Sequence, residues 1–284
     1  VALPLVLAGT DAQREAWLPI FLDETPPPVT SALIERSIRF DPTHPQTVAA
    51  RANGGYVLSG QKITVPLAEH AELLLVYAWN AEAGQVDGFL VPGDADGVQV
   101  GPREKLMGVR ALPTYPVTFD NVRIAANQRL GGENGLDFTH LLARSQVALG
   151  ALAVGVMRGA LEYAIGYAKE REQFGKPLIE FQAVQMTIAD MALQVESARL
   201  LLERAASAVV TGDDLPNPLH VSLAKCTANE MAKKVTDLAM QLHGGNGYTE
   251  EFGIERMHRD AHGWALAGGT PTMQRTRIVS EMLG

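Results

Sequence analysis

The chain has 284 residues, 46% hydrophobic and 20% charged, with a formal net charge of −8. That length can bury one large core or two modest ones, and the acidity argues against a nucleic-acid or anionic-membrane surface. A single cysteine, Cys226, excludes an internal disulfide and fits a reduced, cytoplasmic setting, and no uninterrupted apolar run reaches the roughly 18 residues of a membrane span.

Residues 1–24 read as helical. The apolar opening Val1–Ala8 lacks the basic stretch of a signal peptide and reads as a buried helix end. Asp11 is a candidate N-cap, and Trp17, Leu18 and Phe21 share one apolar face. Pro26, Pro27 and Pro28 stop any helix there. From about 29 to 129 the texture is that of an antiparallel β-sheet or barrel: short runs (Gly55–Ser59, Leu73–Trp79, Gly88–Val91, Val117–Phe119) lie between Gly, Pro, Asp and Asn clusters. The run Tyr56-Val57-Leu58 continues through Gly60 into Lys62-Ile63-Thr64-Val65 and ends at Pro66.

After Gly135 the pattern is helical. Leu141–Glu170, Phe181–Val210 and Asn217–Leu242 are long segments with apolar residues at three- and four-residue steps. Turns such as Gly175-Lys176-Pro177 and Gly212-Asp213-Asp214-Leu215-Pro216 bound them, and a shorter helix over Pro271–Leu283 closes the chain. Long helices joined by short loops predict a four-helix bundle over 130–284, behind a β domain over 29–129 and a short helical stretch over 1–28. The fold class is α+β. There is no internal repeat, no zinc-type Cys/His spacing, no dinucleotide-fold glycine fingerprint and no G-x-S-x-G elbow.

Two motifs stand out. Arg171-Glu172-Gln173-Phe174-Gly175-Lys176-Pro177 ends a helix with a fixed cation, an aromatic plate and a stiff turn. Gln241-Leu242-His243-Gly244-Gly245-Asn246-Gly247-Tyr248 follows an amphipathic helix with glycines that let a backbone approach a ligand closely. Together they predict a helical domain gripping a large phosphate-bearing cofactor.

These segments resemble the R-x-x-F-G-x-P and Q-x-x-G-G-x-G-[YF] signatures of the acyl-CoA dehydrogenase family. Glu255-Arg256-Met257 and Arg259-Asp260-Ala261 follow at the family's offset, and Met107-Gly108-Val109-Arg110 and Phe119-Asp120-Asn121-Val122 match its M-G-x-R and F-x-x-V elements. The resemblance covers nearly the whole chain, although the family's N-terminal helical domain is mostly absent from the sequence in hand. It implies a flavin enzyme of fatty acid or steroid degradation: a base takes the α-proton of an acyl-CoA thioester, the β-hydride passes to FAD, and electrons leave to an electron-transfer flavoprotein. In the family each FAD lies between two subunits. By resemblance Arg171 meets the neighbour's pyrophosphate, Phe174 packs nearby, and Gln241, Gly244 and Gly245 line the adenosine end. No metal ligand is implied.

The side serving a subunit's own flavin is poorer. The family's T-E-x-x-x-G-S-D loop keeps only Glu35 within Leu33–Asp41, and its W-[IS]-[TS] element is replaced by Lys62-Ile63-Thr64-Val65-Pro66, where Thr64 is the remaining hydroxyl. Ungapped counting from Arg259-Asp260-Ala261 places Gly268 where most members carry the catalytic Glu, and Ser145 where a minority carry it, so no catalytic residue is assigned. His243, His262 and Glu133 are the other acid–base side chains considered, each read as structural or solvated; Asp260 is expected to cap or pair within the bundle, and Trp264 and Met257 to pack. The expectation is a subunit that completes a partner's flavin site in a homo- or hetero-oligomer, with bulky steroid-type thioesters as the substrates of heteromeric members. A conventional homo-oligomer with a displaced base, and a flavin-free scaffold, are the alternatives. The small-residue stretch Val147–Val156 suits close helix packing within the bundle or between chains.

Overall fold

The computed structural model describes residues 1–38, 40–210 and 216–283, so the turn expected over 212–216 falls almost wholly outside it. The chain divides into two compact units. One comprises Val1–Leu106 and Arg110–Leu141, the other Met107–Val109 and Leu142–Gly284.

In the first unit the helical opening is broken, not continuous: α1 (Ala2–Ala8) and α2 (Asp11–Trp17) are separate. Thr10, not Asp11, is the N-cap, in a reciprocal capping box with Gln13. Trp17, Leu18 and Phe21 are only half-buried. α1 buries Pro4 and Leu5 while Leu3, Val6 and Leu7 are exposed, and the buried residue of α2 is Gln13, whose amide donates to the Asn127 and Arg129 carbonyls while its oxygen accepts the Gly131 N–H. Polar anchoring thus replaces the apolar face the sequence suggested.

The strands are β1 (Val29–Ala32), β2 (Val48–Ala52), β3 (Gly55–Pro66), β4 (Leu73–Asn80), β5 (Gln85–Pro92), β6 (Val98–Val100) and β7 (Thr114–Ala125). They form one seven-stranded sheet in the order β1-β4-β2-β3-β7-β6, with β5 also on β4. Most pairings are antiparallel, but β1 and β2 run parallel to β4, a departure from the all-antiparallel expectation. β1 (Val-Thr-Ser-Ala) is only four residues and β2 is mostly alanine, so neither specifies its partner or direction, which pairing decides. β4 reads as an unbroken apolar run because nearly every one of its residues is buried. β3 does run through Gly60 to Pro66, with register shifts at Leu58/Gly60 and Lys62/Val65. Gly60 is required there, since a Cβ would sit 2.6–2.8 Å from Thr47.

The second unit contains α3, which begins at Phe138 within the first unit and runs to Glu170, together with α4 (Gln182–Val210), α5 (Pro218–His243), α6 (Ile254–Leu266) and α7 (Pro271–Leu283). The starts shift from those read in the sequence because polar caps precede them. The Asp137 carboxylate accepts the His140 N–H, and Asn217, read as the first residue of α5, is its N-cap ahead of Pro218. α6 was not anticipated; its sequence mixes charged residues with the buried Ile254, Ala261 and Ala265. The core is rich in small residues, among them Ala153, Ala160, Ala164, Ala198, Ala228 and Ala232, which lets the helices approach closely, with Met157 and Met191 filling the space between. The stretch 147–156 divides: Gly150 and Ala153 face inward, while Ala151, Leu152 and Gly155 are exposed. By length and composition α3 is apolar enough to cross a membrane, which a count of uninterrupted runs misses. Its most apolar 18-residue window has a mean hydropathy of 1.4, and only 33% of that window is buried within this chain.

Candidate functional site

Arg171 directly follows α3, its N–H bonded to the Tyr167 carbonyl at 2.9 Å. The next residues form a two-residue hairpin in which β8 (Glu172–Gln173) pairs antiparallel with β9 (Lys176–Pro177). The turn residues Phe174 and Gly175 have φ of +51° and +80°, the left-handed pair a primed hairpin turn demands. Gly175 takes this conformation freely, whereas for phenylalanine it costs about 1–2 kcal/mol. The return is presentation: Phe174 stands 94% exposed, its ring edge-on to Phe181 at 6.4 Å. Lys176 caps the Phe181 ring at 4.5 Å. Arg171 is exposed, and its guanidinium has no hydrogen-bond or ion-pair partner among the described residues.

The second motif closes α5. The Gly244 N–H bonds the Gln241 carbonyl, and Gly244–Tyr248 form a 3-10 turn. The glycines differ in what they do. A Cβ on Gly247 would lie 2.5 Å from the Met240 carbonyl oxygen, so that glycine is demanded by the fold itself. Gly244 needs its φ of +57°, yet nothing lies within 4 Å of its Cβ direction. Gly245 has neither a positive φ nor a neighbour, and no contact inside this chain requires it to be small. The open backbone at 244–245, the exposed Gln241 and Tyr248, and the unpaired cation of Arg171 form a surface suited to an anionic, planar ligand.

His243, inside the second motif, packs against the end of α3 that leads into the first. Its ring is buried and stacks on Tyr167 (4.2 Å) and Tyr163 (5.1 Å), with Phe252 edge-on. Nδ1 lies 2.7 Å from the Ala239 carbonyl, whereas Nε2 is buried with no hydrogen-bond partner. Burial lowers its pKa, against the pull of the Ala239 carbonyl, so the imidazole is neutral with Nδ1 donating. His243 is therefore a packed residue at the end of α5: structural, as its sequence context suggests, but helical and with one ring nitrogen unsatisfied, where a satisfied turn residue is expected.

Around Gly268 the arrangement is polar but not acidic. Gly268 has φ +67°, and its Cβ direction points at Leu149 Cδ1 (2.5 Å), Lys225 Cε (3.3 Å) and Gln146 Cγ (3.6 Å). Gln146 donates to the Gly268 carbonyl at 2.8 Å. Lys225 is fully buried, donates to Asn229 Oδ1 at 2.7 Å, and has its pKa lowered to about 8 by burial. Sequence reasoning passed over this lysine; an isolated cation among the alanines of α5 was the available signal.

Asp260 does pair, but with the Val109 N–H and not with a bundle helix. Beside it Arg259 bonds Glu255 and the Met107 carbonyl. A Cβ on Gly108 would lie 2.2 Å from the Arg259 carbonyl oxygen. Met107–Val109 and Arg259–Asp260, from two separate sequence motifs, are thus two faces of one contact within the second unit. His262 is half-buried beside His258 (5.0 Å), and burial lowers its pKa; Met257 packs on the core. Glu133 is exposed. In the first unit Glu35 and Lys62 form a buried pair at 2.7 Å. Burial alone would raise the Glu35 pKa, but the bonds from Lys62, Thr47 and the Gln46 N–H hold it below its ordinary value. Thr64, at φ +51°, donates its hydroxyl to the Ile63 carbonyl. Cys226 is buried and unpaired.

Residues 30–122 match the acyl-CoA dehydrogenase middle domain, and residues 136–283 match the C-terminal domain. The chain belongs to the acyl-CoA dehydrogenase family, whose members are FAD-dependent oxidoreductases. It is 36% identical to the cyclohex-1-ene-1-carbonyl-CoA dehydrogenase of Syntrophus aciditrophicus, over 98% of this chain and 68% of that protein. The butyryl-CoA dehydrogenase of Megasphaera elsdenii superposes with a TM-score of 0.90 at 31% identity, covering 100% of this chain and 75% of that one. A glutaryl-CoA dehydrogenase of Mycobacterium smegmatis, solved with FADH2, gives 0.89 at 25% identity, covering 99% and 72%.

Proposed function

We propose that this chain is an acyl-CoA dehydrogenase subunit that completes the FAD site of a neighbouring chain and brings no catalytic base of its own. FAD, when bound, supplies the acceptor for the substrate's β-hydride. Arg171 would hold its pyrophosphate by paired charge-assisted bonds, Phe174 would pack beside it, and Gln241, Gly244 and Gly245 would line the adenosine end. The fit rests on the outward-facing cation and the two glycines whose Cβ directions are open.

The observation that carries the missing base is the neighbourhood of Gly268. At the position where the resemblance puts a carboxylate, the chain offers Leu149, Lys225 and Gln146. A positioned general base contributes about 10²–10⁴ in rate, so α-proton removal by this chain alone is slow. The Lys225 amine is no substitute, being turned onto Asn229 inside the bundle. The apolar, two-thirds unburied window of α3 supports packing against another subunit, homologous or identical. The substrate would be an acyl-CoA thioester, and an electron-transfer flavoprotein would take the electrons.

Expression of the chain alone and with its chromosomal neighbour tests this. The expected result is little flavin and no thioester-dependent bleaching for the lone chain, with one FAD per two chains in the hetero-complex. One FAD per chain with normal turnover by the lone chain would establish a conventional enzyme, and a flavin-free complex would establish a scaffold.

A further inference from the structure

We infer that Tyr167 is a positioning residue for nucleotide binding, holding the Arg171 hairpin and the Gly244–Gly245 turn in one register. The inference deepens the proposed function and rests on it. Tyr167 touches both motifs. Its carbonyl accepts the Arg171 N–H at 2.9 Å, the last helical bond of α3, so the tyrosine stands one turn before the cation. Its hydroxyl donates to the His243 carbonyl at 3.3 Å and accepts from Asn246 Nδ2 at 2.9 Å. Residues 243 and 246 flank the two open glycines, so one phenolic oxygen pins both ends of the segment that faces the ligand. The ring is held in turn, stacked on His243 and edge-on to Phe252 at 5.9 Å.

The physical need is clear from the elements joined. The His243 carbonyl sits at the junction between α5 and the short 3-10 turn that it caps. Asn246 lies in that turn, whose geometry is weak on its own. Without the phenol, the turn keeps only its own weak bonds, and the glycines in it, free of side-chain restraint, sample more conformations. The site then has to be ordered at binding, which weakens affinity without removing any ligand contact.

The experiment is FAD titration of the purified assembly, followed by flavin fluorescence, for wild type, Tyr167→Phe, Asn246→Ala, the double variant and Arg171→Ala. Loss of the hydroxyl should raise the FAD Kd about three- to tenfold, the scale of one hydrogen-bonded link. Asn246→Ala, which leaves the bond to the His243 carbonyl, should raise it by no more than that, and the double variant should be no worse than Tyr167→Phe, because both changes break one latch. A role confined to fold stability would lower the melting temperature with the Kd unchanged. If Arg171→Ala weakens FAD while Tyr167→Phe and Asn246→Ala leave the Kd unchanged, the inference fails and the proposed function stands. If all three leave the Kd unchanged, the proposed function fails with it.

Discussion

Replacing Lys225 by Met tests the physics beside Gly268. The ammonium is fully buried, with Asn229 as its acceptor and no carboxylate paired with it among the described residues. A fall in pKa from the ordinary 10.5 to about 8 corresponds to a cost of about 3 kcal/mol while both folded and unfolded states are protonated, that is, below pH 8. Methionine fills similar volume without charge, but it leaves Asn229 Oδ1 bare at about 1–3 kcal/mol. At pH 7 the variant should therefore unfold at equal or higher urea concentration than wild type. The pH dependence is sharper. Between about 8 and 10.5 the unfolded chain holds the Lys225 proton and the folded chain does not, so wild-type stability gains up to about 1.4 kcal/mol per pH unit from this group. The variant loses that increment. Urea unfolding followed by circular dichroism at 222 nm, at pH 7, 8, 9 and 10, measures it; the difference between the two proteins cancels Lys62 and the tyrosines, and making both in a Cys226→Ser background removes the thiol that is coupled to Lys225. Parallel stability–pH curves, or a variant several kcal/mol weaker at pH 7, would refute the reasoning.

The glycine turn offers a matched pair: Gly245→Leu should leave the melting temperature within a few degrees and abolish FAD retention by the assembly, whereas Gly247→Ala should lower it, since its Cβ would overlap the Met240 carbonyl. Equal melting shifts would contradict the assignment. In the first unit, Glu35→Ala strands the buried Lys62 ammonium and should cost about 3–5 kcal/mol in denaturant unfolding at pH 7. Glu35 also contributes stability that is present above its unfolded pKa and lost as pH falls through its lower folded value, so the variant's deficit should shrink below pH 4.5.

Much was legible in the residues because their constraints are local. Strand β3 crossing Gly60 and the long helices α3 to α5 follow from periodicity and turn chemistry over a few positions. The cofactor roles expected of the two motifs, and Gly268 in place of an expected carboxylate, were readable only through resemblance to the family. What the chain alone did not disclose depends on partners far away in sequence. The parallel pairing of β1 and β2 with β4 comes from tertiary recruitment of strands with little propensity of their own. α6 has a charged sequence and few buried positions, and it forms by packing. Only the fold distinguishes Gly245, small without an internal cause, from Gly247, small because Met240 lies against it. Only the fold brings Tyr167 to residues 76 and 79 positions away, because a hydrogen bond is decided by where atoms end up and leaves no periodic trace in the sequence.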